Sequence, residues 1–252
     1  MLGTVLTLPC VALAELAADP LDFVWIDLEH GALGARDVQP LAIAARAAGC
    51  AAIVRLGRSD YPPLAAVLDA GVDGVAAPHV ESALEARRLV DRLRYPPRGS
   101  RGVAARRASG YDVPDTSAGG ERGDPICMVQ IESPDAVRAA AEIASVDGID
   151  ALVVGCADLA VALQGSVDVA TRGMREAIGR VRDAAAAAGI VAGLAGPDDP
   201  ALLRAVAGEG CSLFLCSADV RLYAQAVAER VSALRSELAA PESGRAGFGV
   251  RA

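Results

Sequence analysis

Ile126-Cys127-Met128-Val129-Gln130-Ile131-Glu132 and Ala151-Leu152-Val153-Val154-Gly155-Cys156-Ala157-Asp158 share one pattern. Each is a short run, rich in Val, Ile or Leu, that leads to an acidic residue. Runs of this length and composition read as strands of a parallel sheet, buried on both faces. Parallel α/β architectures place their chemistry beyond the C-terminal ends of the strands. Glu132 and Asp158 would then stand on one rim, on successive strands. Two such carboxylates suit a hard divalent cation.

The same alternation runs outward in both directions. Strands are predicted at Phe23–Leu28, Ala51–Leu56, Gly74–Ala77, Ile126–Ile131, Ala151–Val154, Val191–Leu194 and Leu213–Ser217, with a weaker one at Gly102–Ala105. Helices are predicted at Asp37–Ala48, Tyr61–Ala70, Ser82–Leu93, Pro134–Ala144, Asp199–Gly208 and Val220–Leu238, with an interrupted helical region over Leu159–Gly189 and a long polar loop over Arg106–Asp124. Eight βα-like units in a chain of 252 residues favour an α/β fold of the (β/α)8 TIM-barrel type. A doubly wound sheet is the competitor, but no GxGxxG turn accompanies any of the strands. The reading is one barrel domain over residues 1–238 and a mobile C-terminal tail over 239–252, which carries Pro, Ser and several Gly.

Composition narrows the chemistry. All 24 basic residues are Arg. A Schiff base requires an amine that can lose its proton, and a guanidinium does not. Carbonyl chemistry in this chain would have to stabilise a carbanion or enolate with a metal. A net charge of −8 argues against a nucleic-acid surface. The six Cys show no CxxC and no zinc spacing. Together with the absence of a signal-peptide pattern and of any apolar stretch of ~18 residues, they point to a cytoplasmic chain without a membrane span.

Polar residues gather where the barrel reading demands them. They are Asp27, Glu29 and His30 after the first predicted strand, Arg55 after the second, His79 after the third, Gln130 and Glu132 after Ile126–Ile131, and Asp158 three residues past Gly155. His30, beside two carboxylates, is a candidate general base. His79 is read as structural. Arg55 at a buried strand end wants an anion, either a protein carboxylate or a substrate carboxylate. Glu132 and Asp158 could alternatively be helix N-caps. That alternative is stronger for Asp158, because Ser133 is a better cap than Glu132. Asp69 falls at a helix end where its charge opposes the dipole, and a partner such as His30 would explain it.

The segments Asp22–Gly31, Val54-Arg55, Val67–Gly71, Arg94–Gly102, Val129–Glu132 and Gly155–Leu159, in this order and spacing, resemble the HpcH/HpaI family of metal-dependent pyruvate aldolases over roughly residues 3–235. The resemblance implies a (β/α)8 barrel in a homo-oligomer, a hexamer of dimer pairs, with the last helix packing on a neighbour. It implies that Glu132 and Asp158 hold Mg2+ or Mn2+, with Co2+ as a further possibility. Gln130 and Arg55, with backbone amides near Gly155 and Ala157, would hold a 2-oxo acid such as pyruvate or oxaloacetate. His30, supported by Asp69 and Asp27, would manage the proton through a water.

Two positions depart from the family pattern Gly-Pro-Ala-Asp-Leu-Ser. Cys156 replaces the Pro, restoring an N–H and adding a thiol near the metal, and Ala160 replaces the Ser. Both bear on substrate identity. The leading function is a lyase that forms or cleaves a 4-hydroxy-2-oxo acid with an aldehyde acceptor. A citrate-synthase-like or decarboxylating enzyme using oxaloacetate is the alternative, and a non-catalytic barrel is a weaker third.

Overall fold

A computed structural model describes residues 1–57, 64–112, 123–196 and 198–238. Eight parallel strands close into a barrel in sequence order: β1 (Leu2–Leu6), β2 (Phe23–Asp27), β3 (Ala51–Arg55), β4 (Gly74–Ala77), β5 (Ile126–Ile131), β6 (Ala151–Gly155), β7 (Val191–Ala195) and β8 (Leu213–Ala218). Around them stand α1 (Val11–Ala18), α2 (Ala35–Ala47), α3 (Leu64–Asp69), α4 (Ala83–Leu93), α5 (Pro134–Ala144), α6 (Cys156–Gln164), α7 (Arg172–Ala188) and α8 (Pro200–Gly208). The barrel unit spans Met1–Asp219, and a second unit starts at Val220. The helix α9 (Asp219–Glu237) makes up most of that second unit's described part. The proposed tail 239–252 lies outside the described residues, as does the start of the helix predicted at Tyr61–Ala70.

Strand side chains alternate between two apolar layers. Phe23, Trp25, Ile53, Met128, Val153, Leu213 and Leu215 fill the barrel interior. Val24, Ile26, Val54, Val75, Val129, Leu152 and Leu194 face the helices. Burial on both sides is why these strands read as continuous apolar runs. Helix starts follow from local chemistry: Ser133 accepts from the Ala136 N–H with Pro134 in the first turn, and Ser82 and Thr171 cap α4 and α7 in the same manner.

Two strand assignments need correcting, and they offset each other in the count. Gly102–Ala105 carries no regular structure. The missing strand is β1, which pairs with both β2 and β8 and so closes the barrel. Its sequence, Leu2-Gly3-Thr4-Val5-Leu6, is short and interrupted by Gly, a weak local strand signal. The glycine has a tertiary reason, since a Cβ at position 3 would lie 2.5 Å from the Phe23 ring. Helix α1 was likewise not anticipated.

Candidate active site at the C-terminal rim

Asp27 closes β2 and is 1% exposed. Its carboxylate accepts from Arg55 Nε at 2.9 Å and Nη2 at 2.6 Å, and from the backbone N–H groups of Glu29 at 2.9 Å and His30 at 3.3 Å. Burial alone would raise the Asp27 pKa. The Arg55 hydrogen bonds and charge, with the two N–H groups, outweigh it and hold the carboxyl below its usual range. Arg55 stays charged for the reciprocal reason: burial opposes its charge, while Asp27, Glu29 and Glu132 favour it. Of the two anions open to Arg55 from its position, the structure supplies the protein's own, with Glu29 a further 3.4 Å contact of Nη1.

Glu29 and His79 extend this pair across the mouth of the barrel. His79 Nε2 lies 3.2 Å from Glu29 Oε1, and Nδ1 lies 3.0 Å from Glu132 Oε1. The His79 backbone N–H donates to the same Glu132 oxygen at 2.6 Å, from a left-handed φ of 54°. Neither Glu29 nor His79 was singled out from sequence as a site residue. The available signal was their place after predicted strands; what was missing was the pairing across strands. The chain Asp27–Arg55–Glu29–His79–Glu132 joins residues from four strand ends.

Glu132 is 4% exposed. Gln130 Nε2 donates to its Oε2 at 3.0 Å, while Gln130 Oε1 is buried without a partner. Burial pushes the Glu132 pKa up. The charge and N–H of His79 pull it down, and the charges of Glu29 and Asp158 push it up again. Gly155 makes this packing possible, because a Cβ there would stand 2.5 Å from Glu132 Oε2 and 3.2 Å from Gln130 Nε2. Ser133 caps α5, so the N-cap alternative for Glu132 falls away. It falls for Asp158 too, since Gly155 is the N-cap of α6 and Asp158 sits exposed in its first turn. No side chain caps α6, which leaves its first-turn N–H groups, those of Cys156 and Ala157 included, directed at the rim.

A divalent cation fits this donor set. Glu132 is a buried carboxylate strained by two neighbouring negative charges, and a cation would relieve all three. Among the described residues no three His, Cys, Asp or Glu side chains form a ready cage. Two carboxylates leave room for the water and substrate oxygens that Mg2+ usually keeps.

The remaining expectations are placed differently from the reading above. The His30 imidazole is 62% exposed and has Glu29 at 3.7 Å; the Asp27 carboxylate reaches only its backbone. Among the described residues no hydrogen bond or ion pair joins His30 to Asp69. Asp69 lines a separate cavity of about 380 Å³ with Arg92, Ser100, Arg101 and Gly102. The Cys156 thiol does not face the carboxylates. It packs in the layer outside the barrel, donates to Val154 O at 3.6 Å, and is pushed up to about 12 by burial. Ala160 is fully buried in the same layer.

Known proteins place this rim in context. The model of the HpcH/HpaI aldolase/citrate lyase family matches residues 11–210. A hydroxypyruvate/pyruvate aldolase of Delftia acidovorans is 36% identical over 195 residues, covering 76% of this chain and 71% of the relative. A 2-keto-3-deoxy-L-rhamnonate aldolase of Klebsiella pneumoniae is 33% identical over 240 residues, covering 91% and 87%. The crystal structure of an HpcH/HpaI aldolase/citrate lyase family protein from Burkholderia cenocepacia J2315 superposes with a TM-score of 0.85 at 30% identity, over 93% of this chain and 94% of that one. The closed parallel barrel, with its ionisable groups collected on one rim, is thus the scaffold of a carbon–carbon lyase, and the chain belongs to the HpcH/HpaI aldolase/citrate lyase family.

Proposed function

We propose that the chain forms or cleaves a 4-hydroxy-2-oxo acid at the C-terminal rim, with a divalent cation such as Mg2+ or Mn2+ held by Glu132 and Asp158. The observation that carries this reading is the buried Glu132 carboxylate at the barrel mouth, held by Gln130 and by His79, which also contacts Glu29, with the charge of Asp158 acting on it from the start of α6. When bound, the ion supplies positive charge beside the 2-oxo group and so favours proton loss at the adjacent carbon. Gln130 offers its unpartnered Oε1 and orients Glu132. The N–H groups at the start of α6, near Gly155 and Ala157, suit a carboxylate. Arg55, locked in place by Asp27 and with Nη1 against Glu29, keeps a fixed positive charge at the mouth that favours developing negative charge there. His30 is exposed enough to exchange a proton with substrate or water, and Glu29 is the carboxylate nearest its ring. Asp69 stays a supporting residue in this scheme only if a second copy or a rearrangement brings it to His30.

The homo-oligomer belongs to the same reading, with a hexamer as the expected form. Val220, Tyr223, Val227, Val231 and Leu234 of α9 recur at helical spacing and are 39–70% exposed. That apolar stripe supports burial against another copy. No helix among the described residues is long and apolar enough to cross a membrane. A cytoplasmic location is inferred from the free cysteines.

Proton exchange at the methyl group of pyruvate tests the chemistry without knowledge of the acceptor aldehyde. Exchange should require Mg2+ or Mn2+, stop in chelator and vanish in Glu132→Gln. Exchange that persists in chelator would refute the metal assignment. Consumption of a thioester with oxaloacetate, without exchange into pyruvate, would favour the citrate-synthase-like alternative.

A further inference from the structure

The two oxygens of the Glu132 carboxylate are turned to different sides of the barrel mouth, and His79 is the residue that separates them. Glu132 stands one residue past β5, whose neighbours in the barrel are β4 and β6. On the β4 side, Oε1 accepts from the His79 backbone N–H at 2.6 Å and has the imidazole Nδ1 at 3.0 Å. Oε2 accepts from Gln130 Nε2 at 3.0 Å and lies on the β6 side, where a Cβ on Gly155 would stand 2.5 Å from it. Gly155 is the last residue of β6, and the chain runs from it directly into α6 and Asp158. The charge of Asp158 acts on Glu132 from there.

His79 is itself held firmly. Its backbone takes a left-handed φ of 54°, a conformation that residues with a side chain rarely adopt and that persists where the surroundings fix it. The ring is set between two nearly buried carboxylates, with Glu29 Oε1 3.2 Å from Nε2 on the side away from Glu132. Glu29 is steadied in turn by Arg55 Nη1 at 3.4 Å, and Arg55 by Asp27. An ionised carboxylate offers about four lone-pair positions. The His79 N–H and ring crowd those of Oε1, and Gln130 takes one of Oε2. Oε2 keeps a free position on the side where Asp158 lies.

We infer that His79 is a positioning residue for the cation, which holds Oε1 of Glu132 on the β4 side and leaves Oε2 as the oxygen offered, together with Asp158, to a divalent ion. The inference rests on the metal reading proposed above and adds a residue that the sequence alone reads as structural. Groups that orient a ligating carboxylate affect metal affinity without touching the metal. A purely structural His79 would support the loop after β4 and leave the affinity alone.

Binding of Mn2+ to the full-length protein, followed by the electron paramagnetic resonance of the free ion, reads this role without any turnover. His79→Gly removes the ring, keeps the backbone N–H and adopts the left-handed φ without strain. His79→Asn also tolerates that φ and returns a side-chain amide on the Oε1 side, but is too short to reach Glu29. Mn2+ affinity should fall ~10–100-fold in His79→Gly, and His79→Asn should recover most of that loss. Circular dichroism melts of the same samples establish that each variant is folded when it is titrated. Parent-like affinity in folded His79→Gly would overturn the inference, whatever its melting temperature. So would an equal loss in both variants, which would trace the effect to the Glu29 contact. If the parent itself takes up no Mn2+, the metal reading fails and this inference falls with it. Uptake by the parent with unchanged affinity in His79→Gly condemns His79 alone.

Discussion

At the scale of single residues, Arg55 and His30 separate structure from chemistry. Arg55 neutralises a buried Asp27 and a nearly buried Glu29. Removing one partner of a buried pair leaves an uncompensated charge, so Arg55→Ala should lose ~3–5 kcal/mol of stability as well as activity. The pH dependence follows from Asp27, whose folded pKa lies below its unfolded value. Its contribution is present above the ordinary Asp pKa and is lost as pH falls through the folded value. The stability deficit of Arg55→Ala should therefore be largest near neutral pH and shrink as pH falls through the acid range, in denaturant unfolding followed by circular dichroism at several pH values. His30 supports little of the fold, being largely exposed. His30→Ala should melt like the parent and lose ~10²–10⁴-fold in turnover. A lowered melting temperature with full turnover per folded molecule would make His30 structural.

At the scale of elements, the β6–α6 junction does most to shape the site. Gly155 is at once the last residue of β6, the N-cap of α6 and the gap into which Glu132 fits. Gly155→Ala would drive a methyl group into the Glu132 carboxylate. Overpacking of this kind costs ~1–3 kcal/mol, which a barrel of this size should survive. The larger effect should fall on cation binding, because Glu132 must move. Titration with Mn2+ followed by electron paramagnetic resonance should show affinity lowered by ~10–100-fold, the range seen when ligand orientation is lost. Parent-like affinity would mean that Glu132 does not hold the ion. The same junction explains why Cys156 is harmless here: its side chain leaves the rim for the outer layer.

At the scale of the whole molecule, α9 carries an exposed apolar stripe. Its stripe of Val, Tyr and Leu residues recurs every three to four positions along 19 residues of helix. Val227→Glu with Val231→Glu should lower the assembly mass in sedimentation velocity without unfolding the barrel, whose core lies in the Met1–Asp219 unit. An unchanged mass would move the interface elsewhere.

Much of the barrel was legible in the chain because parallel strands buried on both faces announce themselves as short apolar runs. Seven of the strands, most of the helices between them and the placing of Asp27, Arg55, Gln130, Glu132 and Asp158 at or beyond strand ends follow from that periodicity, whereas α1 does not. Composition likewise removed Schiff-base chemistry, since no side-chain amine is present. The closing strand β1 was not legible, because a short segment containing Gly earns its conformation from β2 and β8 rather than from its own residues. Nor were the partners of the charged groups. A carboxylate three residues away in sequence, such as Asp27 beside His30, is turned to Arg55 from the next strand. His79 is set between Glu29 and Glu132 by a left-handed backbone that no local pattern signals. Which side chain meets which across a closed barrel depends on strand register and inward alternation around the whole ring, and these exist only once the chain has folded.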